Sequence, residues 1–178
     1  MADVNISTRA MYFFTRGIRS YQLQDEKTLA EMIDSIFTDR QNAAGKITGN
    51  GMGMCGGITA SMPNLLDVQQ AEVMELELRA LQQWRKKNDA ATDSLFRKAT
   101  LLENSLSYSF GPPVIVKPSN ELYGEWLLEN NRAAEALQQF NRSLQTTPNR
   151  RLSLEGKMKA SKLAGDENTA SATEKTIL

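Results

Sequence analysis

PSNELYGEWLLENNRAAEALQQFNRSLQTTPNR, residues Pro118–Arg150, carries two helical patterns separated by a turn and closed by a proline. Leu122, Tyr123, Trp126 and Leu127 share one face at helical spacing. Ala136, Leu137, Phe140 and Leu144 share another. Asn130 and Asn131 between them are turn formers. Pro148 stops the second helix, because Thr147 before it is pushed out of the α region. The stretch therefore predicts an antiparallel helical hairpin.

This hairpin resembles a tetratricopeptide repeat, a helix–turn–helix unit of about 34 residues. With Lys117 as the first position, Gly124 and Ala136 fall on the small positions of the two helices. Phe140 falls on the large aromatic and Pro148 on the terminal proline. Small residues belong where helices approach closely, and Phe140 belongs in the space between hairpins. Asn120 and Ser143 depart from the pattern, standing where an aromatic and an alanine are usual.

Working outward, the spacing predicts further hairpins on either side. The first spans about 7–44, with Met11, Phe14, Ile18 and Tyr21 as one stripe and Leu29, Met32, Ile33, Ile36 and Phe37 as the other. Gln24 and Asp25 mark its turn, and Gly17 and Ala30 are its candidate small residues. The second spans about 64–104. Val73, Met74, Leu78, Leu81 and Trp84 form its first face, and Ala91, Leu95, Ala99 and Leu102 its second, around an Asn88-Asp89 turn. A fourth, partial or capping unit follows at 151–178, with Leu154, Met158 and Leu163 as its apolar side. Gly165-Asp166 lies at the same offset within it as Asn131-Arg132 does in the preceding unit, the mark of an internal repeat. The expectation is an all-α single domain of stacked hairpins, about three plus the partial fourth. The resemblance implies a right-handed α-solenoid.

Composition narrows the chemistry. Lys plus Arg and Asp plus Glu both total 21, so no basic excess marks a nucleic-acid or anionic-membrane surface. Without histidine, the imidazole-based triads and HExxH zinc sites are excluded within this chain. Cys55 stands alone, so neither an intrachain disulfide nor a cysteine-rich zinc site can form. No apolar run reaches the ~20 residues of a membrane span, and Met1–Gly17 lacks the pattern of a secretory leader. The default expectations are a cytoplasmic chain, no cofactor, no nucleic-acid partner, and zero net charge that leaves self-association unopposed. The chain also reads as a candidate tail of a larger protein.

Residues 45–63 contain six of the eleven glycines. Read as chemistry, Gly49, Gly51 and Gly53 offer backbone N–H groups to a phosphate, making a small-ligand or enzymatic domain built on the loop at 45–57 the alternative function. No strand precedes the loop and no Gly-Lys-Ser/Thr follows it, so a connector fits the motif criteria better. Residues 105–117, around Gly111, Pro112 and Pro113, read as an extended linker. Among paired carboxylates, Glu75 and Glu77 point to different helix faces, whereas Glu121 and Glu125 share one.

The missing catalytic constellation and the repeated hairpins favour a non-catalytic scaffold that binds a protein or peptide partner. The resemblance implies that the first helix of each hairpin lines a concave surface. Carried over by position, the groove residues are Glu121, Glu125, Leu128 and Glu129 in the third unit, and Glu155, Lys159, Lys162 and Leu163 in the fourth. The lysine–asparagine carboxylate clamp of some family members is absent at these positions. Glu121, Glu125 and Glu129 together form an acidic patch suited to a basic or N-terminal ligand. A solvated helix face is the other reading of the same charges.

Overall fold

The computed structural model describes residues 4–49, 64–107 and 113–177. Eight α-helices account for the regular structure among them: α1 Ile6–Gln22, α2 Glu26–Gly49, α3 Leu65–Arg85, α4 Asp89–Ser105, α5 Ser119–Glu129, α6 Ala133–Thr146, α7 Arg151–Leu163 and α8 Glu167–Ile177. No strand occurs among the described residues. Successive helices pack as hairpins, α1 on α2, α3 on α4, α5 on α6 and α7 on α8. The fourth unit therefore has both of its helices. α2 runs through residues 45–49, which the glycine count had assigned to a loop. Cys55, the remaining glycines of the 50–63 segment, and Gly111-Pro112 lie outside the described residues.

All four hairpins turn in the same way. Gln24, Lys87, Asn131 and Gly165 adopt φ of 61°, 57°, 59° and 77°. The next residue's N–H then donates to a carbonyl five residues back: Asp25 to Ser20, Asn88 to Gln83, Arg132 to Leu127 and Asp166 to Ser161, each 2.9–3.0 Å. Such a left-handed residue with its 6→1 bond satisfies carbonyls that the helix end would leave open. In the second hairpin the left-handed residue is Lys87, one position before the Asn88-Asp89 turn expected from composition.

The chain forms two compact units, Met1–Val116 and Lys117–Leu178. In the first, α3 packs on both α1 and α2. Phe14, Leu29, Ile36, Met74, Leu78, Leu81 and Phe96 are among its most deeply buried apolar side chains. Gly17 makes that contact close: a Cβ there would meet Leu78 Cδ1 at 2.6 Å. Asn5 caps α1 by accepting from the Ser7 N–H at 3.1 Å, while Ser7 Oγ donates to Asp67 at 3.0 Å and ties α1 to the start of α3.

Two expected stripes are displaced. α4 buries Thr92, Phe96, Ala99 and Thr100 rather than Ala91, Leu95 and Leu102. Phe96 takes the inner position and meets Trp84 edge-to-face at 6.4 Å, which turns Leu95 towards the surface. Phe37, expected inside, is 39 % exposed and lies between the guanidinium groups of Arg40 and Arg79, at 5.8 and 5.7 Å. Cations flanking a ring stabilise it at a surface position that an isolated phenylalanine would not favour.

In the second unit, α7 packs on α6 and on α5. Phe140 of α6 is fully buried, with its ring against Gly124 of α5 and Gly156 of α7. Leu122, Tyr123, Trp126, Leu127, Ala136 and Ala160 complete this core. Leu163 is the exception to the expected fourth-unit face, being 66 % exposed.

Candidate functional site

Where α5 and α7 run beside each other, their exposed edges enclose a groove of about 550 Å³ lined by Glu125, Leu128, Glu129, Lys159, Lys162 and Leu163. The lining comes from residues 125–129 of one helix and 159–163 of the other, positions 34 apart in sequence (159 − 125 and 163 − 129). The small residues beneath them, Gly124 and Gly156, let Phe140 sit low in the core. Longer side chains one and two turns further along, Leu128 after Gly124 and Lys159 and Leu163 after Gly156, form the walls.

Six of the eight groove residues read from the sequence line this feature, Glu155 lining a different hollow. Glu121 lines neither. It is fully buried and accepts two hydrogen bonds from Arg150, Nε at 2.7 Å and Nη2 at 3.0 Å, and one from Ser153 Oγ at 2.5 Å. Ser153 Oγ in turn lies 2.9 Å from Ser143 Oγ. Burial pushes the Glu121 carboxyl up, but the bonds from Arg150 and Ser153 and the charge of Lys117 outweigh it and hold it below the usual carboxylate range. Glu121 thus fastens the start of α5 to the α6–α7 connection, and Ser143 takes part in the same network. That accounts for a serine at the position where the repeat pattern favours alanine.

Glu125 is half-buried on the groove wall, with Lys117 Nζ at 2.7 Å from its carboxylate; the same ammonium lies 3.5 Å from Glu121. Burial pushes the Glu125 carboxyl above the usual range despite that lysine. The expected acidic patch is therefore broken up: Glu121 is inside, Glu125 is neutralised by Lys117, and Glu129 alone stands open. Lys117 was not legible as a site residue, because it precedes Pro118 and the start of α5, outside the helix whose spacing pairs side chains, and its shorter contact is with Glu125.

On the α7 wall, Lys159 and Lys162 are exposed and have no carboxylate within ion-pairing distance among the described residues. Glu155, named beside them from the sequence, is instead paired with Arg151 at 2.8 Å and lines a smaller hollow of about 250 Å³ with Met158, Lys159, Glu174 and Ile177. A further groove of about 450 Å³ lies between α3 and α4 in the first unit, lined by Arg79, Gln82, Gln83, Ser94 and Lys98 among others.

The other carboxylates singled out from the sequence are placed structurally. Glu75 is buried and accepts from Arg40 Nε at 2.9 Å and Arg79 Nε at 2.7 Å, joining α2 to α3. Glu77 is fully buried. No group of three or more metal-ligating side chains occurs among the described residues, and no helix among them is long and apolar enough to cross a membrane. No protein-family model matches the chain, and neither a curated protein nor a solved structure matches it.

Proposed function

We propose that the chain is a protein-interaction module of tetratricopeptide-like hairpins, and that the groove between α5 and α7 receives a segment of a protein partner. The observation that carries this reading is the convergence on one open groove of Leu128, a 66 %-exposed Leu163 and three charged groups, Glu129, Lys159 and Lys162, without an ion-pair partner among the described residues. Apolar side chains brought together and rimmed by polar groups, as Leu128 and Leu163 are here, have the composition of an association surface, which a single exposed leucine does not. The shared turn geometry supports a true repeat. So does the close packing of consecutive hairpins through glycines, since single hairpins bury their apolar faces only by stacking. The long arms of Lys159 and Lys162 contribute both charge and apolar stem to the wall.

The test is affinity capture with the full chain, comparing wild type, Leu163→Asp and Leu101→Asp. Leu101 is a control of matched exposure, at 70 %, in the other unit. A partner retained by wild type and Leu101→Asp but lost by Leu163→Asp supports the groove. A partner retained by all three places the binding surface elsewhere.

A further inference from the structure

The charge balance of the groove points to the chemistry of what it binds. Its acidic wall is largely satisfied from within, because Lys117 holds Glu125 at 2.7 Å and Arg150 holds Glu121 out of the groove altogether. Among the described residues, Lys159 and Lys162 on α7 and Glu129 on α5 have no ion-pair partner, Glu155 being held by Arg151 and Glu174 lying across the smaller hollow from Lys159. The two lysines lie three residues apart on one helix, so their stems rise side by side, about one turn apart. Leu128 and Leu163 lie across from and beside them.

The dimensions set a second constraint. Five helical residues, 125–129 or 159–163, span about 6 Å along the axis at the α-helical rise, which matches about two residues of extended chain. The groove therefore seats one anchoring side chain and its immediate neighbours rather than a long apolar face.

Resting on the reading of this groove as a partner-binding surface, we infer that its ligand is an acidic segment of a protein chain. One apolar side chain of that segment lies between Leu128 and Leu163, and flanking carboxylates meet Lys159 and Lys162. This reverses the basic or N-terminal ligand that Glu121, Glu125 and Glu129 would suit as one open patch.

The test titrates isotope-labelled full-length protein, followed by backbone amide resonances, with three capped nonapeptides. One has a central leucine flanked by glutamates, the second has the same leucine flanked by lysines, and the third has the glutamates with serine for leucine. The glutamate–leucine peptide is expected to shift amides of 125–129 and 159–163, with binding that weakens as salt rises. It is expected to bind about tenfold more tightly than either other peptide. The Lys159→Glu/Lys162→Glu variant, both positions being exposed, is expected to invert the preference between the first two peptides. If the lysine-flanked peptide shifts the groove amides as strongly as the glutamate-flanked one, the acidic ligand is overturned while the groove stands as a binding surface. If the glutamate–leucine peptide shifts no groove amide, the inference is likewise overturned. Failure of the underlying reading shows separately, as a captured partner indifferent to Leu163→Asp.

Discussion

Phe140 on α6 presses the edge of its ring against the backbone of Gly124 on α5: a Cβ placed on Gly124 would lie 2.8 Å from Cζ and 2.9 Å from Cε2. The same end of the ring lies still closer to where a Gly156 side chain would begin. One aromatic ring thus fills the space that two glycines leave open, and three helices share it.

Glycine in a helix interior ordinarily costs about 0.5–1 kcal/mol relative to alanine, so alanine at Gly124 or Gly156 would stabilise if the space were free. The expectation is the opposite sign. Gly156→Ala should destabilise, and Gly124→Leu should cost about 1–3 kcal/mol through overpacking. Phe140→Ala should cost about 3–5 kcal/mol. Combining Gly156→Ala with Phe140→Leu should cost less than the sum of the two, because the smaller side chain vacates the contested volume. Chemical denaturation of the five variants, Phe140→Leu alone among them, checks this; a more stable Gly156→Ala would show that the ring does not lie there.

Two carboxyls on α5 make opposite contributions to pH dependence. Glu121 is held below the usual range in the fold, so its contribution is present above the unfolded-state value and lost as acidification carries the pH through the folded one. Glu125 is raised, so its contribution is present below the unfolded-state value and lost as the pH rises through the folded one. Glu121→Gln should flatten the loss of melting temperature on acidification, and Glu125→Gln should steepen it. Removing the Glu121 side chain with Glu121→Ala should cost about 3–5 kcal/mol at neutral pH, since Arg150 and Lys117 lose the buried charge they surround. Melting curves from neutral pH down to below the usual carboxylate range read both signs.

Gly165 isolates the backbone term of the shared turn, because nothing lies within 4 Å of where its Cβ would be and its φ is 77°. Gly165→Ala should cost about 1 kcal/mol for the left-handed conformation alone. The exposed Lys87, at φ 57°, is the reciprocal case, and Lys87→Gly should be neutral or stabilising by a few tenths of a kcal/mol. Equal effects of the same sign at both positions would contradict the common turn.

Much of the fold was legible because local spacing dictates it. The 118–150 pattern placed Gly124, Ala136 and Phe140 where the core uses them, and the Gly165 offset anticipated a turn with the Asn131 geometry. The displaced stripe of α4 was not legible, since Ala91, Leu95 and Leu102 satisfy helical periodicity as well as Thr92 and Phe96 do. Only packing against Trp84 selects between them. Gly156 passed unnoticed because its function depends on an aromatic sixteen residues earlier on a different helix (156 − 140). The groove was readable by position but not in its electrostatics. Three glutamates at helical spacing look equivalent until Arg150, 29 residues from Glu121, and Lys117 sort them into buried, paired and open.

Leu163 offers the most direct measurement. A photo-crosslinking amino acid placed there, and in parallel at the equally exposed Leu101, should respond differently to light in the native lysate. The account predicts a discrete crosslinked protein at position 163 that is missing at 101, and that mass spectrometry maps to a short acidic segment carrying an apolar residue. No crosslink at 163, or the same products at both positions, would contradict a partner-binding groove between α5 and α7.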